Sequence, residues 1–287
     1  MSAWLALAVH VMLVALMAPL LDGWMRMVRA RARGETPPPV EQSWRDLVRL
    51  WRKPALAPPG ASFVFQGAPA VALGSAVVAA VVVPGLCLGL ATAELSDLVV
   101  VVGLLGLSRA VVGMAAFEVG GVAAWGERLG TVTAAPAGAV LLLAALVVVL
   151  ASGGTNLDAA AAAVRDGGGG VRVAGAMAGA ALLVVAAFGE DVMGMSGHSG
   201  RALALLVGAG QVRRVVGLSA VALVGAPFGV ADAGSGIEAG CVGVACWVLK
   251  LGVLGAVAVG IGRREWLVAA GVLAAIAAVV LGVQGRV

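Results

Sequence analysis

The sequence predicts an all-α, polytopic membrane protein with about eight transmembrane helices, similar runs recurring along the whole chain. Three observations predict it. Of 287 residues, 61% are hydrophobic and only 12% charged, whereas soluble domains carry about 25% charged residues; so much apolar surface needs the bilayer as its solvent. Eight stretches approach or exceed the roughly 20 mostly apolar residues of a bilayer-crossing helix: 2–22, 68–93, 97–118, 134–152, 171–189, 212–231, 240–260 and 265–284. Lysine and arginine are also distributed unevenly between alternate connections. The runs lack the period-two alternation of barrel strands, and a helix satisfies its backbone hydrogen bonds within one segment. Residues 1–287 read as a single membrane domain.

The first stretch lacks a basic start, and basic residues follow it, so it is expected to be a retained span and not a cleaved signal. The connection 23–67 is the longest. It begins with basic residues, passes through Pro37-Pro38-Pro39, and reaches a segment near 41–53 where Trp44, Leu47, Val48 and Trp51 recur at helical spacing. Arg45, Asp46, Arg49 and Arg52 fill the other face. That pattern predicts an amphipathic helix at the membrane surface. It serves either as an electrostatic anchor to anionic lipid or as a docking platform for a peripheral partner. The connection 153–171 holds Gly153-Gly154, Thr155-Asn156 and a run from Gly167 to Gly170. The run reads as a flexible turn without the spacing and lysine of a phosphate-binding loop. Gln211, Arg213 and Arg214 crowd the start of the sixth stretch, so 200–210 reads as its tilted extension or as an interfacial helix.

Orientation follows from the basic residues. The connections after the first, third, fifth and seventh stretches hold 14 of the 19 lysines and arginines, and the opposite side holds 3. The positive-inside rule puts the basic connections in the cytoplasm and both termini outside. The expected location is the cell (plasma) membrane.

Ionisable residues within spans are costly unless paired or hydrated, so each is a functional candidate. Arg109 sits within the third stretch, Glu118 near its end, Glu190 and Asp191 at the end of the fifth, and Lys250 near the middle of the seventh. They are the candidates for a proton path, since shielded carboxylates and lysines can relay protons. The competing reading pairs Arg109 and Lys250 with acids for structure and leaves Glu118 and Glu190 at the interface.

Other chemistry is excluded. Cys87, Cys241 and Cys246 form no CxxC and lie in apolar stretches. They read as packing residues, not as ligands of zinc or iron–sulfur clusters. His10 and His198 stand apart and do not make a metal site. No serine–histidine–acid spacing suggests a hydrolase, and no catalytic residue, bound cofactor or nucleic-acid partner is expected of this chain.

Short motifs then carry a family resemblance. Pro19-Leu20-Leu21 with Gly23, followed by Arg26, Arg29 and Arg31, resembles the end of the first helix in the formate hydrogenlyase subunit 4 and hydrogenase-4 component C family. That family is the hydrogenase counterpart of the membrane subunit that walls the quinone chamber of complex I, the NADH-quinone oxidoreductase. Gln42-x-Trp44-Arg45-Asp46-Leu47-Val48-Arg49-Leu50 resembles its next segment. In order, Ser108-Arg109 with Glu118-x-Gly120, Glu127, Gly154-Thr155-Asn156, Ser199-Gly200 with Arg213 or Arg214, Pro227-x-Gly229 and Lys250-Leu251 resemble further family motifs.

The resemblance implies eight helices and a membrane-arm subunit of a complex I-like oxidoreductase, of the group 4-type nickel–iron hydrogenase or formate hydrogenlyase-like branch. It implies docking of a cytoplasmic electron-transfer arm, for which Arg26, Arg29, Trp44, Arg45, Asp46 and Arg49 are the candidates. Expected partners are a hydrogenase-like large subunit, an iron–sulfur small subunit and antiporter-like membrane subunits. They would carry the iron–sulfur clusters and a nickel–iron centre, with quinone a further candidate ligand. Several family positions differ. Glu190 is followed within nine residues by Ser199, so most of an acidic loop is absent; Gly126, Ala135-Pro136, His198 and Gly262 replace other family residues. These losses leave proton translocation through Glu118, Glu190 and Lys250 beside an uncoupled scaffold as the alternative. A small-solute or ion transporter is a third reading, for which no inverted repeat is evident.

Overall fold

Sustained apolar runs dictate the architecture. In the computed structural model, residues 3–58, 60–119, 140, 144–188, 197–261, 270–277 and 279 are described. Helix α1 spans Ala3–Ala32, α2 Gln42–Trp51 and α3 Phe63–Val82. Strand β1 is Cys87–Leu88, and α4 spans Leu98–Val119. Helices α5 (Leu157–Asp166), α6 (Gly169–Phe188) and α7 (Gly200–Gly225) follow. Strand β2, Ala231–Asp232, and α8, Ile237–Gly260, come next. Residues 144–152 and 270–277 are also helical and fall within the fourth and eighth predicted stretches. Among the described residues six helices are long and apolar enough to cross a membrane: α1, α3, α4, α6, α7 and α8. The chain is an all-α, multi-pass membrane protein.

Helix α7 is the hub. It packs against α1, α2, α3, α5, α6 and α8. Of the six spanning helices it has the lowest mean hydropathy and the largest buried share, 67% of its most apolar stretch. The two facts have one cause, because Gln211, Arg213 and Arg214 would be costly against lipid and find polar neighbours inside the bundle. Small residues admit α6 to α7. A Cβ on Gly175 would come within 2.9 Å of the Val224 carbonyl, and one on Gly179 within 2.8 Å of the Gly225 nitrogen, the close-approach packing typical of membrane helices. Trp24 of α1 donates to the Gly252 carbonyl of α8 at 3.0 Å.

Several boundaries differ from the sequence reading. The first helix runs ten residues past 22, so the following connection is shorter than 23–67. The second predicted stretch, 68–93, is a helix only to Val82; the chain then unwinds, and β1 pairs in parallel with β2 through Cys87↔Ala231 and Leu88↔Asp232. Residues 212–225 of the sixth, 212–231, continue a single helix that begins at Gly200, so 200–210 is its extension and not a separate interfacial helix, and Arg213 and Arg214 are mid-helix residues and not loop residues. The connection 153–171 contains α5, capped by Asn156, whose side chain accepts from the Ala159 amide at 3.0 Å.

Candidate functional site

A buried polar cluster lies where α1, α2 and α7 meet. Asp22 is 6% exposed. Its carboxylate accepts from Ser43 of α2 at 2.8 Å and from Arg26, one turn along α1, at 2.8 Å. It also accepts from Arg214 of α7, while Gln211 lies at 3.5 Å. Four donors on one carboxylate offset the cost of burying it. Next to it, Arg213 donates to the Ser108 hydroxyl of α4 at 3.0 Å, and Ser108 donates to the Ala72 carbonyl of α3 at 2.7 Å. Gly23 is fixed by the same junction, because its Cα faces the Val40 carbonyl with no room for a Cβ.

A second contact ties the C-terminal end of α2 to the start of α7. Arg201 donates to the Trp51 carbonyl at 3.2 Å; the Ser199 hydroxyl accepts from the Leu56 amide at 2.9 Å and donates to its carbonyl at 3.2 Å. Gly200 adopts φ +53° with the Pro54 carbonyl against its Cα, so both the backbone angle and the space demand glycine. His198 stacks on Phe65 with ring centres 3.9 Å apart, and its Nε2–H donates to the Phe65 carbonyl at 3.2 Å. Burial lowers the His198 pKa below the ordinary histidine value, against the opposing hydrogen bond to the Phe65 carbonyl.

The outer face of α2 carries the docking candidates. Trp44, Arg45, Val48, Arg49, Arg52 and Lys53 line an open cleft of about 570 Å³. Arg45 pairs with Glu41 at 2.6 Å and Arg49 with Asp46 at 3.3 Å, both as neighbours on one helix face. Arg29 is exposed on the extension of α1, and Arg26 is held by Asp22.

Among the described residues the proton-path candidates do not come together. Lys250 is 8% exposed on α8; its ammonium donates to the Phe228 carbonyl and lies 4.4 Å from the Phe228 ring centre. No carboxylate pairs with it among the described residues. One turn before it, Trp247 donates to Ser219 of α7 at 3.0 Å, and the His10 ring of α1 lies edge-on to Trp247 with centres 6.0 Å apart. The His10 Nε2–H donates to the Ala80 carbonyl at 3.2 Å. Gly85 completes this packing, since a Cβ there would lie 2.9 Å from Trp247 Nε1. Arg109 is exposed on α4 and has no hydrogen bond or ion pair among the described residues. Glu118 is also exposed; it accepts from the Ser62 hydroxyl at 2.5 Å, and Ser62 caps α3. Glu190 and Asp191 lie outside the described residues.

On the opposite side, the Gly154-Thr155-Asn156 motif is a joint. Thr155 donates to Asp97, which also accepts from the Val99 amide at 2.7 Å and thereby caps α4. Asn156 donates to the Ala93 carbonyl at 2.8 Å. The Thr155 hydrogen bond, with the backbone amides, holds the Asp97 carboxyl below its usual pKa. Asp158 accepts from the Gly89 amide at 3.1 Å, and burial raises its pKa. Arg165 reaches Asp232 at 3.3 Å and joins α5 to β2. Burial pushes the Cys87 thiol up to about 11, so it offers no thiolate at neutral pH. Among the described residues no group of His, Cys, Asp or Glu could hold a metal ion.

Sequence reasoning missed Asp22 and Ser43; it named Arg26, Gln211 and Arg214, but not as partners of one carboxylate. The signal present was an acid four residues before Arg26 at a span's end.

No protein-family model matches the chain. The sequence is 32% identical over 92 residues to formate hydrogenlyase subunit 4 of Escherichia coli (strain K12), a match that covers 32% of this chain. The chain thus spans 30% of the length of that curated relative. The fold matches a chain in the structure of the membrane-bound sulfane sulfur reductase, an archaeal respiratory membrane complex, with a TM-score of 0.76. That likeness covers 98% of this chain and 100% of the other at 17% identity. The chain therefore has the fold of a chain from a respiratory membrane complex and, over about a third of its length, is similar in sequence to a formate hydrogenlyase subunit.

Proposed function

We propose that the chain is the membrane-arm subunit of a complex I-like oxidoreductase of the hydrogenase branch, a group 4-type nickel–iron hydrogenase or formate hydrogenlyase-like complex. It anchors a cytoplasmic electron-transfer arm through the exposed face of α2 and the extension of α1. The observation that carries this reading is the sequence similarity to formate hydrogenlyase subunit 4. The basic cleft of α2 supports the place of docking. The chain itself holds no cofactor in this reading. A hydrogenase-like large subunit and an iron–sulfur small subunit supply the metal centres, antiporter-like subunits extend the membrane arm, and quinone is a candidate acceptor. The basic connections face the cytoplasm of a plasma-membrane complex.

Affinity purification of the tagged chain from native membranes in mild detergent tests the reading. Stoichiometric iron, with nickel in the same peak, is the expected result. Recovery of the chain without any metalloprotein partner would defeat it. In this complex Lys250 takes part in proton translocation. A second reading, an uncoupled scaffold of the same complex, is favoured by the exposure of Arg109 and by the surface role of Glu118 as a partner of the α3 cap.

A further inference from the structure

Helix α2 could lie against the bundle in many rotations about its axis, and only some present Arg45, Val48 and Arg49 outward. Ser43 fixes the rotation. It is 1% exposed, and it points into the bundle at Asp22. Its neighbours in sequence, Trp44 and Arg45, are then turned to the open cleft. Asp22 is held in turn by Arg214 of the central helix and by Arg26. The C-terminal end of α2 is tied separately, through Arg201 and the Trp51 carbonyl.

We infer that Asp22 is a positioning residue for docking: its buried carboxylate bridges Ser43 of α2 to Arg214 of α7 and sets which face of α2 the cytoplasmic arm meets. The inference rests on the proposed docking function. A lipid anchor needs only its apolar face against the membrane, and that surface leaves the direction of the helix in the membrane plane and its place on the bundle free. A protein partner needs both fixed, because its contacts are at fixed places. The interior link, with one acceptor serving donors from three helices, is expensive to build for a helix with no oriented task.

Two variants test it from opposite sides of the bond. Asp22→Ala removes the acceptor; Ser43→Ala removes the donor and leaves the buried ion pair intact. Limited trypsin digestion of the full-length chain in mild detergent reads the release of α2 at Arg45, Arg49, Arg52 and Lys53. Cleavage at Arg165 and Arg172 is the internal control. Each variant should raise α2 cleavage about tenfold, as expected when a buried hydrogen bond that holds a segment is lost. The double variant should add little to either. The iron that co-purifies from native membranes should fall in parallel, with Ser43→Thr, which keeps the hydroxyl, restoring both. Unchanged α2 cleavage in both variants overturns the positioning role, whatever happens to the iron. Faster α2 cleavage with undiminished iron sustains the link but overturns docking at α2. Cleavage that rises equally at Arg165 and Arg172 in Ser43→Ala reports general loosening and also overturns the inference.

Discussion

The ammonium of Lys250 is satisfied by the main-chain carbonyl of Phe228 and by the face of the same residue's ring, 4.4 Å from its centre. A single residue in the turn after α7 thus supplies both a dipole and a π-face to a buried cation, with Cys246 and Trp247 one turn away on α8. No described carboxylate neutralises it. Substitution of this lysine should separate its two readings. Lys250→Met preserves the stem and removes the charge. In vesicles reconstituted with the proposed complex, it is expected to abolish proton release while turnover continues. An unchanged proton gradient at equal turnover would assign Lys250 to structure alone.

Charge on the outer face of α2 should control assembly. Arg45→Glu and Arg49→Glu each place a carboxylate beside Glu41 or Asp46. The lost helix pairs cost about 0.2–0.5 kcal/mol each, too little to unfold α2. Loss of the arm in either variant would therefore report the interface and not the helix. The check is iron content of the purified material, with circular dichroism to confirm retained helicity; normal iron in both variants would defeat docking at this face.

Gly200 should tolerate no side chain. Its φ of +53° and the Pro54 carbonyl against its Cα are independent obstacles. Gly200→Ala is expected to cost about 1–3 kcal/mol through backbone strain, measurable as a lower unfolding temperature in detergent. Gly234→Ala is the control, since nothing lies within 4 Å of its Cβ position. Equal temperatures for the two variants would contradict the clasp at 199–201.

The joint at Thr155 should give stability a dependence on acid. Asp97 has a folded-state pKa below the ordinary value. Its contribution is present above the unfolded value, about 3.9, and is lost as pH falls through the depressed folded value. Asp97→Asn should therefore flatten the decline of the unfolding temperature below about pH 4. Asn156→Ala should lower stability by about 1 kcal/mol through the lost cap without changing that pH profile. Identical profiles for wild type and Asp97→Asn would remove the carboxylate from the account.

The spanning helices were legible because their apolar character is continuous along the chain. What escaped was set by partners distant in sequence. From the sequence, residues 200–210 and 211–225 read either as one tilted helix or as an interfacial helix followed by a span, because Gln211, Arg213 and Arg214 crowd the junction. They form one helix because Asp22, 192 residues before Arg214, and Ser108 receive those charges inside the bundle. Glu118 reads as a membrane carboxylate until Ser62, 56 residues earlier, is seen to donate to it. Helix α5 was legible in principle: Asn156 is a good cap, Leu157–Asp166 is alanine-rich, and Gly167 ends it. The surrounding glycines drew attention away from that short pattern. Of the candidate site, the α2 segment could be read from its periodicity. Its anchor at Asp22 could not, since a lone acid at a helix end carries no mark of what will bury it.

The polarity of α7 has a consequence for how the protein reaches the membrane. Arginine near the middle of an isolated inserting helix opposes integration by about 2.5–3.5 kcal/mol, and α7 brings two, with Gln211 beside them. Fused alone into a host protein, α7 should fail to integrate in a glycosylation-mapping assay, whereas co-synthesis with α1, α3 and α4 should rescue it. Efficient insertion of the lone segment would contradict this. During biogenesis the segment that most of the other helices surround would then be admitted only after Asp22 and Ser108 are already waiting in the bilayer, so that order of synthesis becomes part of the folding code.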